Sequence, residues 1–309
     1  MSTSWRKRLY WLGLGLGLFF FIGQVLKGYQ VLLTLTLDIS LIVRLSGATV
    51  AGLAALGLQM AAWRVLMQDL GVRLTWRSIV GGYMLSFLPR YVPGSIWGYL
   101  SRSEWLKRSY GVSYSLSGTG SILEVAMALI TGSAVIGFYC ILITTGLVQV
   151  TLLVLEIAFP LVSWFTLKFV FQLSFVKKRH GVLHSHGSEM IGFANWSKMF
   201  LLYIMLWLCY GVLVLILVDQ FDLSSTPSSL AAATFSFCVS WLIGFLVVFL
   251  PSGLGIREIA LSNILASIMG VPSDVGSAVS VLTRLCIAVA ELLWVFVGIV
   301  LQRARITHT

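Results

Sequence analysis

The sequence predicts an all-α fold: a polytopic helical membrane protein with two inverted repeats, each containing a re-entrant broken-helix hairpin. Three observations predict it. The chain is 58% hydrophobic and 10% charged, with mean hydropathy +0.95, where a soluble domain carries about 25% charged residues. Several apolar runs reach the roughly 20 residues that a bilayer crossing needs. Two others are interrupted in the same way, at Phe87-Leu88-Pro89-Arg90-Tyr91-Val92-Pro93-Gly94-Ser95 and at Phe249-Leu250-Pro251-Ser252-Gly253-Leu254-Gly255-Ile256-Arg257-Glu258. Backbone that leaves helical geometry at membrane depth must be buried in protein or line a watery cavity.

The first element follows Trp5-Arg6-Lys7-Arg8 and runs near 9–26. It resembles a signal peptide, but no small-residue cleavage site follows, so it reads as an uncleaved helix. Further helices are expected near 41–63, 116–137, 147–171, 199–218 and 279–301, with the broken regions near 78–100 and 230–269. Orientation comes from the basic residues, which collect on the cytoplasmic side. Arg6 to Arg8, Arg64, Arg73, Arg77, Arg102, Lys107, Arg108, Lys177 to Arg179, Lys198, Arg303 and Arg305 are most of the 21 lysines and arginines. Asp38, Asp219, Asp222 and Asp274, with Lys27, fall on the other side. Both termini are then cytoplasmic, in a bacterial-type plasma membrane. Both flanks of 78–100 are basic, which fits a hairpin entering from the cytoplasm and turning at Pro93-Gly94. The region 230–269 lies between acidic flanks, which fits a hairpin from the opposite face turning at Pro251–Gly255.

The whole chain, 1–309, reads as one transmembrane domain. Repeat one spans about 41–137 and repeat two about 199–301. Gly111-Val112 recurs as Gly270-Val271, and Ser121 and Leu123 recur as Ser280 and Leu282. Three crossings separate the hairpins, and an odd number inverts the second copy. Inverted repeats with discontinuous helices are a transporter architecture whose site lies at the repeat interface.

Ionisable groups at membrane depth are costly and tend to be functional or paired. Arg44, Arg90, Glu104, Glu124, Arg257, Glu258, Arg284 and Glu291 lie in or near the apolar zone. Arg257-Glu258 opens a half-helix just after the Pro251, Gly253 and Gly255 turn, where the helix N-terminus and a guanidinium together favour phosphate. Arg284 is a candidate partner for Glu258, and a purely structural ion pair is the competing reading. Arg90 is placed to point into a site beside Pro93 and Gly94. Arg102 and Glu104 are expected to snorkel to the interface. Glu124 either carries a proton or pairs with Arg257 or Arg90.

Other features carry less. Cys140, Cys209, Cys238 and Cys286 sit in apolar runs and read as small buried residues. His180, His184 and His186 read as a solvated or headgroup-facing loop, Gly13, Gly15 and Gly17 as helix packing, and the tryptophans, Trp63, Trp97, Trp105 and Trp196 among them, as interfacial belts. No hydrolase triad, Walker motif, zinc-protease motif or dinucleotide loop stands in a supporting context, so no cofactor and no metal is called for. The missing P-loop excludes ATP-driven transport by this chain itself. Basic residues dispersed among spans argue against nucleic acid.

Pro251-Ser252-Gly253-Leu254-Gly255-Ile256-Arg257-Glu258 resembles the Pro-Gly-Gly-x-Gly-x-Arg-Glu signature of the flippase-like membrane family that includes the transmembrane part of bacterial lysylphosphatidylglycerol synthases. Tyr91-Val92-Pro93-Gly94-Ser95-Ile96-Trp97 is similar to the family's first Pro-Gly-x-x-Trp element, and Arg284 falls where a basic residue is usual. Ser252 replaces the family's first Gly, and Glu124-Val125 stands where an Asp-Arg pair is frequent. The resemblance implies a stand-alone member without the synthase domain that moves a phosphate-containing lipid between leaflets, either an aminoacyl-phospholipid or a polyprenyl-phosphate-linked one. The expected partners are anionic membrane lipids, with a homo-oligomer or a pathway enzyme left open. A membrane-embedded lipid-modifying enzyme using Glu124 or Glu258 as a base, and a non-transporting scaffold subunit, are the alternatives.

Overall fold

The structure is a computed structural model that describes residues 3–36, 38–91, 97–172, 192–221, 229–247 and 250–306. The described residues are helical without strands. Six helices are long and apolar enough to cross a membrane: α1 (Thr3–Thr34), α2 (Ile39–Asp69), α5 (Tyr114–Ile143), α6 (Gly146–Gln172), α7 (Phe193–Asp219) and α10 (Ser273–Ile306). Between them lie two helix–break–helix units. The first is α3 (Trp76–Leu85), a 3₁₀ turn (Leu88–Tyr91) and α4 (Trp97–Tyr110); the second is α8 (Ser229–Leu246), a 3₁₀ turn (Pro251–Gly253) and α9 (Ile256–Met269).

All six long helices extend past their expected bounds, and polar side chains cap the starts of several helices. The Asp38 carboxylate accepts from Leu41 N at 2.8 Å and starts α2. Thr75 and Ser113 likewise cap α3 and α5; each cap satisfies a backbone N–H that lacks an intrahelical partner. The second arm of the first unit reaches Tyr110 rather than the expected 100. Both second arms, α4 and α9, have 14 residues and finish in the same turn. Gly111 and Gly270 are left-handed, and the next residue's N–H returns to a carbonyl six back, Val112 to Leu106 and Val271 to Leu265, each at 3.4 Å. Each is a left-handed glycine closure, one residue wider than the Schellman motif, whose N–H returns five residues back. The Gly-Val likeness read in the sequence is therefore a likeness of backbone geometry.

Helix α7 is the central pillar and α6 is peripheral: half of the most apolar window of α7 is buried, against 6% for α6. α7 packs most extensively against α2, and α10 lies across α1, α2, α3 and α9. Lipid provides no hydrophobic drive between helices, so close approach of small residues must hold them together. Ala48, Gly52 and Ala55 form such a stripe on α2; a Cβ on Gly52 would stand 3.3 Å from Ala290 of α10 and 3.4 Å from Leu213 of α7. Trp63 and Trp196 are not interfacial as expected. They are 2% and 1% exposed, Trp63 packing on Tyr83 and Trp105, and Trp196 on Phe200. Span-end position alone does not separate a lipid-facing indole from a core one. Cys238 and Cys286 are buried, Cys140 and Cys209 half-buried, and all four are free thiols. His180, His184 and His186 lie outside the described residues.

Candidate functional site

The second break owes its shape to glycines. Gly253 and Gly255 have φ of 66° and 83°, a region that side chains rarely adopt. Added Cβ atoms would also meet the Gly244 carbonyl oxygen at 2.9 Å and the Gly17 carbonyl oxygen at 2.8 Å. The turn is thus pressed between α8 and α1, and Pro251 and Gly253 are buried. Ser252, at φ 51°, is the one described non-glycine residue with positive φ.

The turn launches α9, and Glu258 binds back on it. Its Oε2 accepts from Gly255 N at 2.6 Å, while its Oε1 lies 3.7 Å from Nε of Arg284. The Arg284 partnership anticipated from sequence is thus present. The anion expected at the start of this half-helix is already there: it is the protein's own carboxylate, which complements the helix dipole. Arg257, one residue earlier, turns toward Trp241, its guanidinium carbon 5.4 Å from the ring centre.

Across the cavity, Glu124 on α5 is buried at 5% exposure. Its Oε2 pairs with Arg102 Nη1 of α4 at 2.5 Å. Its Oε1 accepts from the Tyr83 hydroxyl of α3 and from Gln59 Nε2 of α2 at 3.4 Å. This replaces two expectations. Glu124 pairs with Arg102 rather than with Arg257, and Arg102 does not snorkel, being 3% exposed. Gly98, Arg102 and Leu106, four apart, share the buried face of α4, whereas Glu104 faces outward and binds Arg108 and Tyr114. Aromatic faces hold the Arg102 guanidinium: its carbon lies 4.1 Å from the Tyr83 ring centre, 5.2 Å from Trp63 and 5.5 Å from Tyr99.

Arg102, Arg257, Arg284, Glu124 and Glu291 all border one open cavity. Its remaining wall includes Gln59, Tyr203, Trp207, Tyr210, Trp241 and Ser252. A smaller cleft beneath holds Glu258 with Arg257 and Arg284. Phe87 and Glu291 also line an apolar crevice with Leu88, Leu292 and Val295. Leu88 and Leu292 are 47% and 59% exposed on the bundle's outer surface. A polar chamber therefore adjoins an apolar one that faces outward.

Of the predicted residues, Glu124, Arg257, Glu258 and Arg284 gather around these chambers, and Pro251, Gly253 and Gly255 shape the turn beside them. The side chain of Arg90 and all of Pro93 and Gly94 lie outside the described residues. Sequence reading missed Arg102, Gln59, Tyr83 and Tyr203. The four-residue spacing of Gly98, Arg102 and Leu106 was the available signal for the first. Among the described residues no cluster of acidic, histidine or cysteine side chains suits a metal.

No curated protein and no solved structure matches the chain. The family described as the lysylphosphatidylglycerol synthase TM region matches over residues 11–294. An integral membrane bundle, broken twice around a charged chamber and matched over nearly its full length, belongs to the lysylphosphatidylglycerol synthase transmembrane-region family.

Proposed function

We propose that this protein moves a phosphate-containing lipid between membrane leaflets, as a flippase or scramblase without covalent chemistry. The carrying observation is the convergence of three arginines from α4, α9 and α10 on one chamber inside an apolar bundle. Placing three guanidinium groups at membrane depth is costly and is expected where an ionic group must be met. The adjoining apolar crevice supports an amphipathic ligand, with the headgroup in the chamber and the acyl chains outside. In this reading the two helix–break–helix units are inverted re-entrant hairpins, and the basic-residue distribution puts both termini on the cytoplasmic side of a bacterial-type inner membrane.

Vesicles reconstituted with the purified protein and fluorescent phosphatidylglycerol test the reading through the fraction of total probe that dithionite, confined to the outer leaflet, bleaches. Probe should exchange between leaflets far faster than in empty vesicles. Arg257→Gln and Arg284→Gln should slow it by about tenfold or more, the worth of a charge-assisted hydrogen bond. Exchange no faster than in empty vesicles overturns the proposal.

A further inference from the structure

The charges that the described residues bring to the chamber balance. Among the described residues it and the cleft beneath hold three cations, Arg102, Arg257 and Arg284, and three carboxylates, Glu124, Glu258 and Glu291. A phosphodiester entering this set brings one negative charge that none of these described groups offsets, and an uncompensated charge in a low-dielectric site is strongly disfavoured. One proton from water restores neutrality.

The structure indicates which carboxylate takes it. Buried polar groups are nearly always hydrogen-bonded. Yet Arg102 Nε and the Tyr203 hydroxyl, buried donors bordering this chamber, have no hydrogen-bond partner. Both residues are 3% exposed. Arg102 offers five N–H donors in a planar fork suited to phosphate, and Glu124 is its one ion-pair partner among the described residues. Glu258 is held differently, its Oε2 fixed on the Gly255 amide. Glu124 retains its Tyr83 and Gln59 bonds through Oε1 when Oε2 leaves Arg102.

We infer that Arg102 and Tyr203 form an anion subsite in which Glu124 stands in for the ligand, and that a phosphodiester monoanion displaces this carboxylate and binds together with one proton. The exchange balances. Arg102 Nη1 passes from Glu124 Oε2 to a phosphate oxygen, Arg102 Nε and Tyr203 donate to the same anion, and Oε2 takes a proton from water. The other groups facing Glu124 keep their charge. They are Tyr99 on α4, Tyr210 on α7, Arg257 on α9, and Arg284 and Glu291 on α10; α8 contributes only the neutral Trp241. Glu156 of α6 packs elsewhere, against Gly137. The inference rests on the lipid reading above, to which it adds coupling to protons.

Calorimetry of dihexanoylphosphatidylglycerol binding to the detergent-solubilised protein, in two buffers of different ionisation enthalpy, counts the protons. Its phosphodiester stays a monoanion from pH 6 to 8.5, so only the protein titrates. About one proton should enter per lipid, and Kd should rise about tenfold per pH unit toward the alkaline end. Glu124→Gln should bind without proton uptake, more tightly at pH 8.5, and independently of pH. Wild-type binding without a proton overturns this inference and leaves the lipid reading standing, as does uptake that persists in Glu124→Gln. Absence of binding overturns both. Glycerophosphoglycerol, the same phosphodiester without chains, should bind more weakly; equal binding would make the ligand a soluble phosphodiester and overturn the lipid reading alone. A wild-type count of zero overturns the inference even where Glu124→Gln does not fold.

Discussion

In the first broken unit, Gly82 on α3 receives the indole of Trp105 from α4; in the second, Gly244 on α8 receives the stem of Arg257 from α9. Both units use a glycine on the first arm to admit a large side chain from the second. The first fills the gap with an aromatic ring, part of a cluster with Trp63 and Tyr110. The second fills it with a charged chain whose head reaches the chamber. Their ion pairs differ in parallel. Arg102 and Glu124 meet at 2.5 Å, whereas Glu258 divides itself between the backbone of its own turn and Arg284 at 3.7 Å. One scaffold thus carries a tight pair sealed by aromatic rings and a looser pair tied to a glycine turn. A shared packing device does not imply shared chemistry.

Removing one partner of the tight pair should produce the largest effect. Arg102→Gln leaves the Glu124 carboxylate buried without its counter-ion, which costs about 3–5 kcal/mol in comparable sites. The thermal midpoint in detergent should fall by several degrees, and adding Glu124→Gln should recover most of the loss. A double variant no more stable than Arg102→Gln would show that the two residues do not act as a pair.

The glycine contacts come next. Gly82→Ala and Gly244→Ala each force a methyl group into a neighbouring side chain, and such overpacking costs about 1–3 kcal/mol. Gly82→Ala should act mainly on stability, because the rigid indole has nowhere to go. Gly244→Ala should spare more stability and act mainly on lipid exchange, because the flexible Arg257 stem can shift and carry its guanidinium away. Equal ratios of stability loss to exchange loss would erase the contrast between the units.

A smaller gain is expected at Ser252, where the left-handed backbone penalises a side chain. Ser252→Gly removes a penalty of roughly 1–2 kcal/mol but frees the unfolded chain by about 0.4–1 kcal/mol. A rise of about 1 kcal/mol or less should appear in thermal unfolding, and a fall would contradict the strain.

The smallest effect belongs to Glu104 on the exposed side of α4. Hydrogen bonds from Tyr114 and Arg108 hold its carboxyl below the ordinary carboxylate range. A depressed folded-state value adds stability above the unfolded-state value, and that stability is lost as pH falls through the folded one. The wild type should therefore slightly exceed Glu104→Gln in thermal midpoint at pH 7. The gap should close toward pH 3, and a gap that does not depend on pH would point to packing instead.

Much of this was legible in the chain. Length and apolarity announce a spanning helix whatever its neighbours, so all six spans could be placed, with the starts of α2 and α5 read too late because their caps, Asp38 and Ser113, are polar. The Pro–Gly interruptions were equally plain, because only a few residue types stop a helix inside an apolar run. The Arg284–Glu258 pairing could be named because those charges stood in otherwise apolar stretches with few alternatives.

The partner of Glu124 was not legible. Arg102 sits in a charged segment beside Glu104, Lys107 and Arg108, where composition suggests the interface, and only the rotation of α4 against α5 turns it inward. Sequence alone determined that charges lie within an apolar bundle broken twice, because hydropathy and glycine–proline chemistry are local properties. Tertiary structure alone decided which charges meet. An ion pair between residues on different helices depends on how those helices rotate and cross, and spacing along one chain does not encode that.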